Sequence, residues 1–355
     1  MTLPIYQVSG TPRDMGRQFG EACRDSAREL LELRLAGAAG HAAERGGRHH
    51  SRADILALCQ SFLPLVEKWH PDTAEENRGI AEGTGLSEAE IFALQGLTDL
   101  RDLLTWGPPP DGLGCTSLLV SPARSKNRQA LFAQTWDLAA DNREHTCLLL
   151  RRPQKGPATL ALTVSGTLSM IGLNEYGFAC GTNNLKAKDA RPGLHYLHLL
   201  HRCLNDSRDV ASAAKLIETA PRLAAHAYHL ADASGSILSL ECSALECRPW
   251  LPEAEAVLHC NHFLHPDLIL LEAEPSGPSS KARQRRGQEL CARGNFDVAS
   301  LRALLADRDG GDLAINRRPP LAITTNACVI LEPVERRLHA CRGPADEGEW
   351  AAYGL

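Results

Sequence analysis

The decisive stretch is Asp111-Gly-Leu-Gly-Cys115-Thr-Ser-Leu-Leu-Val120. A glycine-rich turn runs directly into one cysteine, and that cysteine opens an apolar, β-prone run. A thiol attacks an amide only when something takes its proton and something holds the oxyanion. A nearby histidine is the usual partner. A residue that is itself a chain terminus needs none, because its α-amino group, with an ordinary pKa of about 7.7–8.0, can serve as the base. Such an enzyme must first expose that amine by cutting its own chain. Glycine on the acyl side suits the cut, since it lets the thiol approach its own carbonyl and tolerates a strained turn. Gly114-Cys115 meets that requirement, so the chain is expected to cleave itself there. The same motif also fits a buried strand cysteine that follows a turn.

The strand after the cysteine supplies a partner. Cys115–Ser121 and Gln129–Asp137 are two β-prone runs joined by the turn-rich Ala123-Arg-Ser-Lys-Asn-Arg128. An antiparallel hairpin would set the start of the first beside the end of the second. A turn centred near Lys126-Asn127 places Cys115 opposite Asp137, whose carboxylate could orient the new amine. A slip of one residue would turn Asp137 to the other face.

Composition narrows the function class. The chain has 355 residues, mixed charge and a net formal charge of -5. No broad basic patch suggests nucleic acid. No run approaches the ~18 apolar residues that span a bilayer, so no membrane partner is expected. The start, Met-Thr-Leu-Pro-Ile-Tyr-Gln, lacks a basic segment followed by a long apolar one. The protein is expected to be cytoplasmic. Its 12 cysteines include no Cys-x-x-Cys pair. Most are expected to be buried, reduced thiols, and no metal site is expected from them.

Along the chain, a strand at 4–8 precedes helical periodicity from Thr11-Pro12 to about 37, with Gly16 and Gly20 on one face. Close helix packing explains those glycines. Residues 38–51 read as a loop, followed by helices at 52–68, 73–83 and about 88–104. Beyond 107–114 the pattern turns β: 115–121, 130–137, 145–152, 158–164, 170–174 and 177–183. Helices near 194–204 and 208–219 come next, then strands near 226–232, 236–241 and 256–261. Helices at 281–293 and 298–306 and strands near 321–331 and 336–341 complete a layered α+β arrangement.

Several of these segments resemble the penicillin acyltransferase family, a branch of the N-terminal nucleophile (Ntn) hydrolases with an autocatalytic cysteine. Gly10-Thr-Pro-x-x-x-Gly16-x-x-x-Gly20 and Gly79-Ile-Ala-Glu-Gly83 resemble its two early helices. Asp111-Gly-Leu-Gly-Cys-Thr is similar to its cleavage site, Asp-Gly-Cys-Thr, with two residues inserted. Gln134-Thr-Trp-Asp137 resembles its Gln-Asn-Trp-Asp, with Thr135 in place of Asn. Leu258-His-Cys-Asn261-His262 resembles the strand that gives an Asn to the oxyanion hole. Ala314-Ile-Asn-Arg317-Arg318 resembles a late segment with a site-organising Arg; Arg317 is favoured and Arg318 is the alternate.

The resemblance implies an Ntn αββα four-layer sandwich, two stacked antiparallel sheets flanked by helices. It implies a helix-rich segment 1–114 and a catalytic segment 115–355, intertwined as one domain. The two cleaved chains would stay associated, and two such heterodimers could pair. Cys115, Asp137, Asn261 and Arg317 become the catalytic candidates, with Thr116, Asn183 and His262 as substrate contacts. The expected reaction is cleavage or transfer of an acyl or aminoacyl group at a small-molecule amide or thioester. No cofactor is implied, although acyl-coenzyme A could be a co-substrate. Two other features stand apart. His195-x-x-His198-x-x-His201 could chelate a metal, or simply form the polar side of its helix. Lys281-x-Arg283-x-Arg285-Arg286 reads as a solvated helix face, with Arg283 structural or on the surface. The rival readings are an uncleaved, non-catalytic binding protein of the same fold, and a metalloenzyme built on the histidines.

Overall fold

A computed structural model describes residues 2–105, 114–251, 255–273 and 277–355, apart from the side chain of Arg45. Most of the expected scissile loop, 106–113, lies outside the described residues; Gly114 and Cys115 are within them. Strand β1 (Ile5–Gly10) leads into helices α1 (Pro12–Ala22), α2 (Arg24–Gly46), α3 (Arg52–Trp69), α4 (Pro71–Thr84) and α5 (Glu88–Thr105). Then come β2 (Thr116–Val120), β3 (Leu131–Ala139), β4 (Thr146–Pro153), β5 (Thr159–Val164), β6 (Ile171–Asn174) and β7 (Phe178–Asn184). Helices α6 (Tyr196–Asp206) and α7 (Val210–Thr219) precede β8 (His226–Asp232), β9 (Ile237–Cys242), β10 (Cys247–Trp250) and β11 (Ala256–His259). The chain ends with α8 (Pro266–Ile269), α9 (Pro278–Cys291), α10 (Val298–Leu305), β12 (Ile323–Glu332), β13 (Arg337–Arg342) and β14 (Ala351–Gly354). No helix among the described residues is long and apolar enough to cross a membrane.

The strands form two sheets. The larger runs β1-β4-β5-β6-β7-β8-β9-β10 and the smaller β11-β2-β3-β12-β13-β14. Alternation along β3 builds the layers. Phe132, Trp136 and Leu138 point between the sheets, while Leu131 and Ala133 pack with Leu301, Leu304 and Leu305 of α10. Helices α6 and α7 cover the outer face of the larger sheet, and α9 and α10 that of the smaller. The result is the αββα sandwich. Strand β1 pairs in parallel with β4, so the segment before Gly114 shares a sheet with the segment after it.

Three readings of the sequence change. Residues 38–46 are helical, because Ala38 and Ala42 are buried in the core and hold α2 together across Gly37 and Gly40. Edge strands β10 and β14 were not expected. Each has only four residues, and β10 carries Pro249, which an edge strand tolerates. In the hairpin, Thr116 pairs with Thr135, so continuing the register sets Cys115 opposite Trp136 rather than Asp137. The observed register centres the hairpin between Ser125 and Lys126, and the connection holds a 3-10 turn at Pro122–Arg124.

The early glycines pack α1 against α4. A Cβ on Gly79 would lie 2.1 Å from the Arg13 carbonyl oxygen, and one on Gly16 would lie 2.1 Å from that of Glu76. Backbone cannot yield as a flexible side chain does. Gly79→Ala should therefore cost at least about 1–3 kcal/mol and lower the thermal midpoint. Gly37→Ala, with no atom within 4 Å of the new methyl, should instead raise it by the helix-propensity gain of ~0.5–1 kcal/mol. Two melting curves beside the wild type check both.

Candidate active site

Cys115 stands just before β2, at the mouth between the sheets. Its carbonyl oxygen accepts hydrogen bonds from Arg283 Nη1 at 2.7 Å and Asn183 Nδ2 at 2.8 Å. Burial pushes the Cys115 thiol up to about 12, and the Asp137 carboxylate adds to the rise. Hydrogen bonds from the Asp137 backbone N–H and the Gln134 side chain, with the Arg283 charge, pull the other way. The thiol thus needs a base before it can act.

Gly114 is wedged into the site. A Cβ there would sit 2.3 Å from Arg283 Nη2 and 2.6 Å from Asn261 Oδ1. Arg283 is 1 % exposed, so its guanidinium has nowhere to retreat. Only glycine fits on the acyl side of the Gly114–Cys115 bond.

Asn261 follows β11 on a loop held by Glu241. That carboxylate takes hydrogen bonds from His259 Nε2 at 2.7 Å and from the Leu264 and His265 backbone N–H groups. Burial would raise Glu241, but these donors outweigh it and keep it below its usual range. The Asn261 N–H donates to Ser280 Oγ at 2.8 Å. Its Oδ1 accepts from Arg283 Nη2 at 2.9 Å, and arginine only donates, so the orientation of the amide is fixed. Nδ2 then faces Asn184 O at 2.9 Å and the cavity beside Cys115.

The Asp137 carboxylate lies on the α9 face of the sheet, as the shifted register requires. Thr325 Oγ1 donates to it at 2.8 Å and Thr135 Oγ1 at 3.2 Å. Thr135 Oγ1 in turn accepts the Thr116 N–H at 3.0 Å, which ties Asp137 to the residue after Cys115. Burial raises Asp137 to about 6, against the nearby Arg283 and Arg317 charges and the two hydroxyls. A raised carboxyl holds its proton until higher pH, so the carboxylate is the main form only above about 6. If the carboxylate is needed, the self-cleavage rate will climb through pH 6 and level off above it. Asp137→Asn should remove that limb, and a pH series of cleavage rates checks it.

The remaining expected residues fall into place around this centre. Arg317 is buried on the Asp137 side, where its backbone N–H donates to Thr325 Oγ1 and its Nη1 bonds Ser279 Oγ. Arg318 points outward and pairs with Asp346 and Glu347. Thr116 Oγ1 accepts from Arg283 Nη1 at 2.9 Å. Asn183 is fully engaged: its Nδ2 reaches Cys115 and its Oδ1 accepts from Ser117 and His229. His262 Nδ1 bonds Ser280 Oγ at 2.8 Å, and burial lowers its pKa to about 4. Thr116, Asn183, His262 and Arg317 therefore brace the site and do not line the cavity beside Cys115.

That cavity is only 30 Å³, about the volume of one water. Trp136, Met170, Tyr196 and Asn184 form parts of its wall. One contributor was missed from sequence. Arg283 lies at the centre of the site, not on a solvated face. Asn184 presents a buried Nδ2 with no hydrogen-bond partner among the described residues, in the wall of the same cavity as Cys115. His195, just before α6, and His198 and His201 within it are fully buried, on a polar side turned inward towards Asp99, Asn77 and Glu76. Among the described residues no group of three or more His, Cys, Asp or Glu is placed to hold a metal ion.

Residues 123–346, more than half the chain, match the model of the family described as acyl-coenzyme A:6-aminopenicillanic acid acyl-transferase. The acyl-coenzyme A:6-aminopenicillanic-acid-acyltransferase 40 kDa form of Emericella nidulans is 23% identical over 322 residues, covering 87% of this chain and 83% of the relative. Among solved structures, an N-acylethanolamine-hydrolyzing acid amidase ortholog of Caenorhabditis elegans is similar with a TM-score of 0.45 and 14% identity. It covers 68% of this chain and 100% of that one. A variant of conjugated bile acid hydrolase from Clostridium perfringens gives 0.44 and 13%, over 68% and 97%. The chain belongs to the acyl-coenzyme A:6-aminopenicillanic acid acyl-transferase family.

Proposed function

We propose that the chain is a precursor that cuts itself between Gly114 and Cys115 and then acts as an N-terminal-cysteine amidase or acyltransferase. The observation that carries this reading is the wedge at Gly114, where Arg283 and Asn261 leave no room for a side chain beside the bond to be cut. In the first step Cys115 Sγ attacks the Gly114 carbonyl carbon. The C–N bond breaks, a thioester forms and the Cys115 amine is freed; water then hydrolyses the thioester.

In the second phase that amine takes the thiol proton and the thiolate attacks a small-molecule amide or thioester. The acyl-enzyme passes its acyl group to water or an amine. Asn261 and Asn184 amide groups face the space where the oxyanion develops, and one such donor is commonly worth ~10²–10³ in rate. Asp137, linked through Thr135 to Thr116, orients the amine. Arg283 and Arg317 hold Asn261 and Asp137 in place. Segments 1–114 and 115–355 stay joined through the β1–β4 pairing and the buried faces of α1–α5. Acyl-coenzyme A is an acyl donor this chemistry accepts, with no bound cofactor required.

The test is to purify wild type and Cys115→Ala, measure intact masses, and assay both against a panel of N-acyl anilides. The wild type should split in two and release the aniline, and the variant should do neither. A wild type that stays whole and inert would refute the reading.

A further inference from the structure

We infer that a second cavity, next to the one at Cys115, is the subsite for a carboxylate-bearing arm of the substrate, with Arg34 as the residue that receives it. The inference rests on the amide chemistry proposed for Cys115 and names the substrate class for it. The cavity measures 470 Å³, within the range of small-molecule sites. Leu33, Ala38, Ala139 and Ile323 supply apolar wall. Leu97 and Leu138 border both cavities, so these two side chains form the partition between them. Leu97 sits at a kink in α5 with φ 27°, a sparsely populated backbone state that marks a place built to differ from plain helix. A shift of one of these leucines would be needed to join the small space at Cys115 to the larger one.

Charge selects the ligand. Arg34 is 8 % exposed and lines the cavity, and its Nε has no hydrogen-bond partner among the described residues. Of the other charged groups on the wall, Arg101 is paired, while Asp141 keeps its negative charge but is exposed, where water screens it. Arg101 donates through Nε and Nη2 to Asp102 Oδ1, and Asp141 Oδ1 accepts from Asn142 Nδ2 at 2.7 Å. Asp141 acts on Arg34 only through space. Burial lowers Arg34 to about 10, which leaves it charged at neutral pH. A buried guanidinium without a hydrogen-bonded anion is costly, and a planar carboxylate matches its fork. The cavity thus favours an apolar linker ending in a carboxylate. Gly37 stands on the rim with no atom within 4 Å of where its Cβ would be, so a larger side chain there would project into free space.

Two matched pairs of amides test this. Glutaryl-4-nitroanilide against pentanoyl-4-nitroanilide places the carboxylate on the acyl arm. N-pentanoyl-4-aminobenzoate against N-pentanoylaniline places it on the amine arm. The wild type should favour the carboxylate member of one pair by at least about tenfold in kcat/KM, and that pair identifies the arm. Arg34→Met should erase the preference while leaving the uncharged partner's turnover and the self-cleavage unchanged. No preference in either pair, or one that survives Arg34→Met, overturns the inference. A protein that stays uncut and hydrolyses nothing refutes the Cys115 chemistry instead. Calorimetric titration with the two carboxylates then decides the subsite: binding lost in Arg34→Met supports it, and equal or absent binding overturns it.

Discussion

Arg283→Met chains will remain uncut, or be cut at least about a hundredfold more slowly than wild type. Arg283 holds three groups of the site at once: the Cys115 carbonyl, Thr116 Oγ1 and Asn261 Oδ1. Methionine fills similar volume but donates nothing. The Asn261 amide then loses the bond that fixes its orientation, and the Cys115 carbonyl keeps only Asn183. Asp137 also loses a cation that opposes its raised pKa, so its carboxylate forms only at still higher pH. Each buried acceptor left without its donor costs about 1–3 kcal/mol, so the thermal midpoint falls too. Arg283→Lys should restore charge but not the two-pronged geometry, and so recover the Asp137 pH limb better than the rate. A time course of intact masses reads the rates. A folded Arg283→Met protein cutting at the wild-type rate would show that Arg283 is only structural.

Arg151→Met should produce the largest loss of stability, about 3–5 kcal/mol. Arg151 of β4 and Glu76 of α4 are both almost fully buried and form a two-pronged ion pair, with Nε to Oε1 at 2.8 Å. Asn205 Oδ1 accepts from Arg151 Nη1 at 2.6 Å, and His201 Nε2 lies 3.3 Å from Glu76. Burial alone would raise Glu76, but Arg151 and His201 outweigh it and hold it at about 2. Removing the arginine strands that carboxylate. Arg151→Met with Glu76→Gln should recover part of the loss, since no charge is then left buried. The sign of the pH dependence follows from the lowered pKa. The pair's contribution is complete above the ordinary glutamate range near 4.5 and fades as pH falls towards 2. The gap between wild type and variant should therefore shrink in acid.

The sequence made the candidate nucleophile and the layers legible because each has a local signature. Glycine before cysteine at a strand start is visible directly, and the apolar alternation of β3 marks two buried faces. The Gly16 and Gly20 spacing likewise showed its packing role, while their partners Gly79 and Gly83 on α4 were not linked to them. Arg283 was hidden because its helix shows no apolar stripe. The face of α9 turned to the site is Ser279, Ser280, Arg283, Gln284 and Gly287, which repeats with helical spacing but in polar and small residues. That spacing was the available signal, and the charges at 281, 285 and 286 masked it. The α6 histidines misled for a related reason. They are buried near Glu76, Asp99 and Asn77, partners more than ninety residues earlier that no local pattern reveals. The hairpin register turned on half a residue in a connecting turn, which propensity does not resolve.

Cut at the proposed bond, Cys115 would carry a free amine and a free thiol on adjacent carbons. Only such a 1,2-aminothiol condenses with 2-cyanobenzothiazole to a stable ring, so the reagent tests amine and thiol together. After incubation of purified wild type at neutral pH, mass spectrometry should find a fragment of residues 115–355 carrying one such adduct, beside the unlabelled fragment that ends at Gly114. A chain that keeps its full mass, is cut at another bond, or gives a Cys115 fragment that takes no adduct would contradict the account.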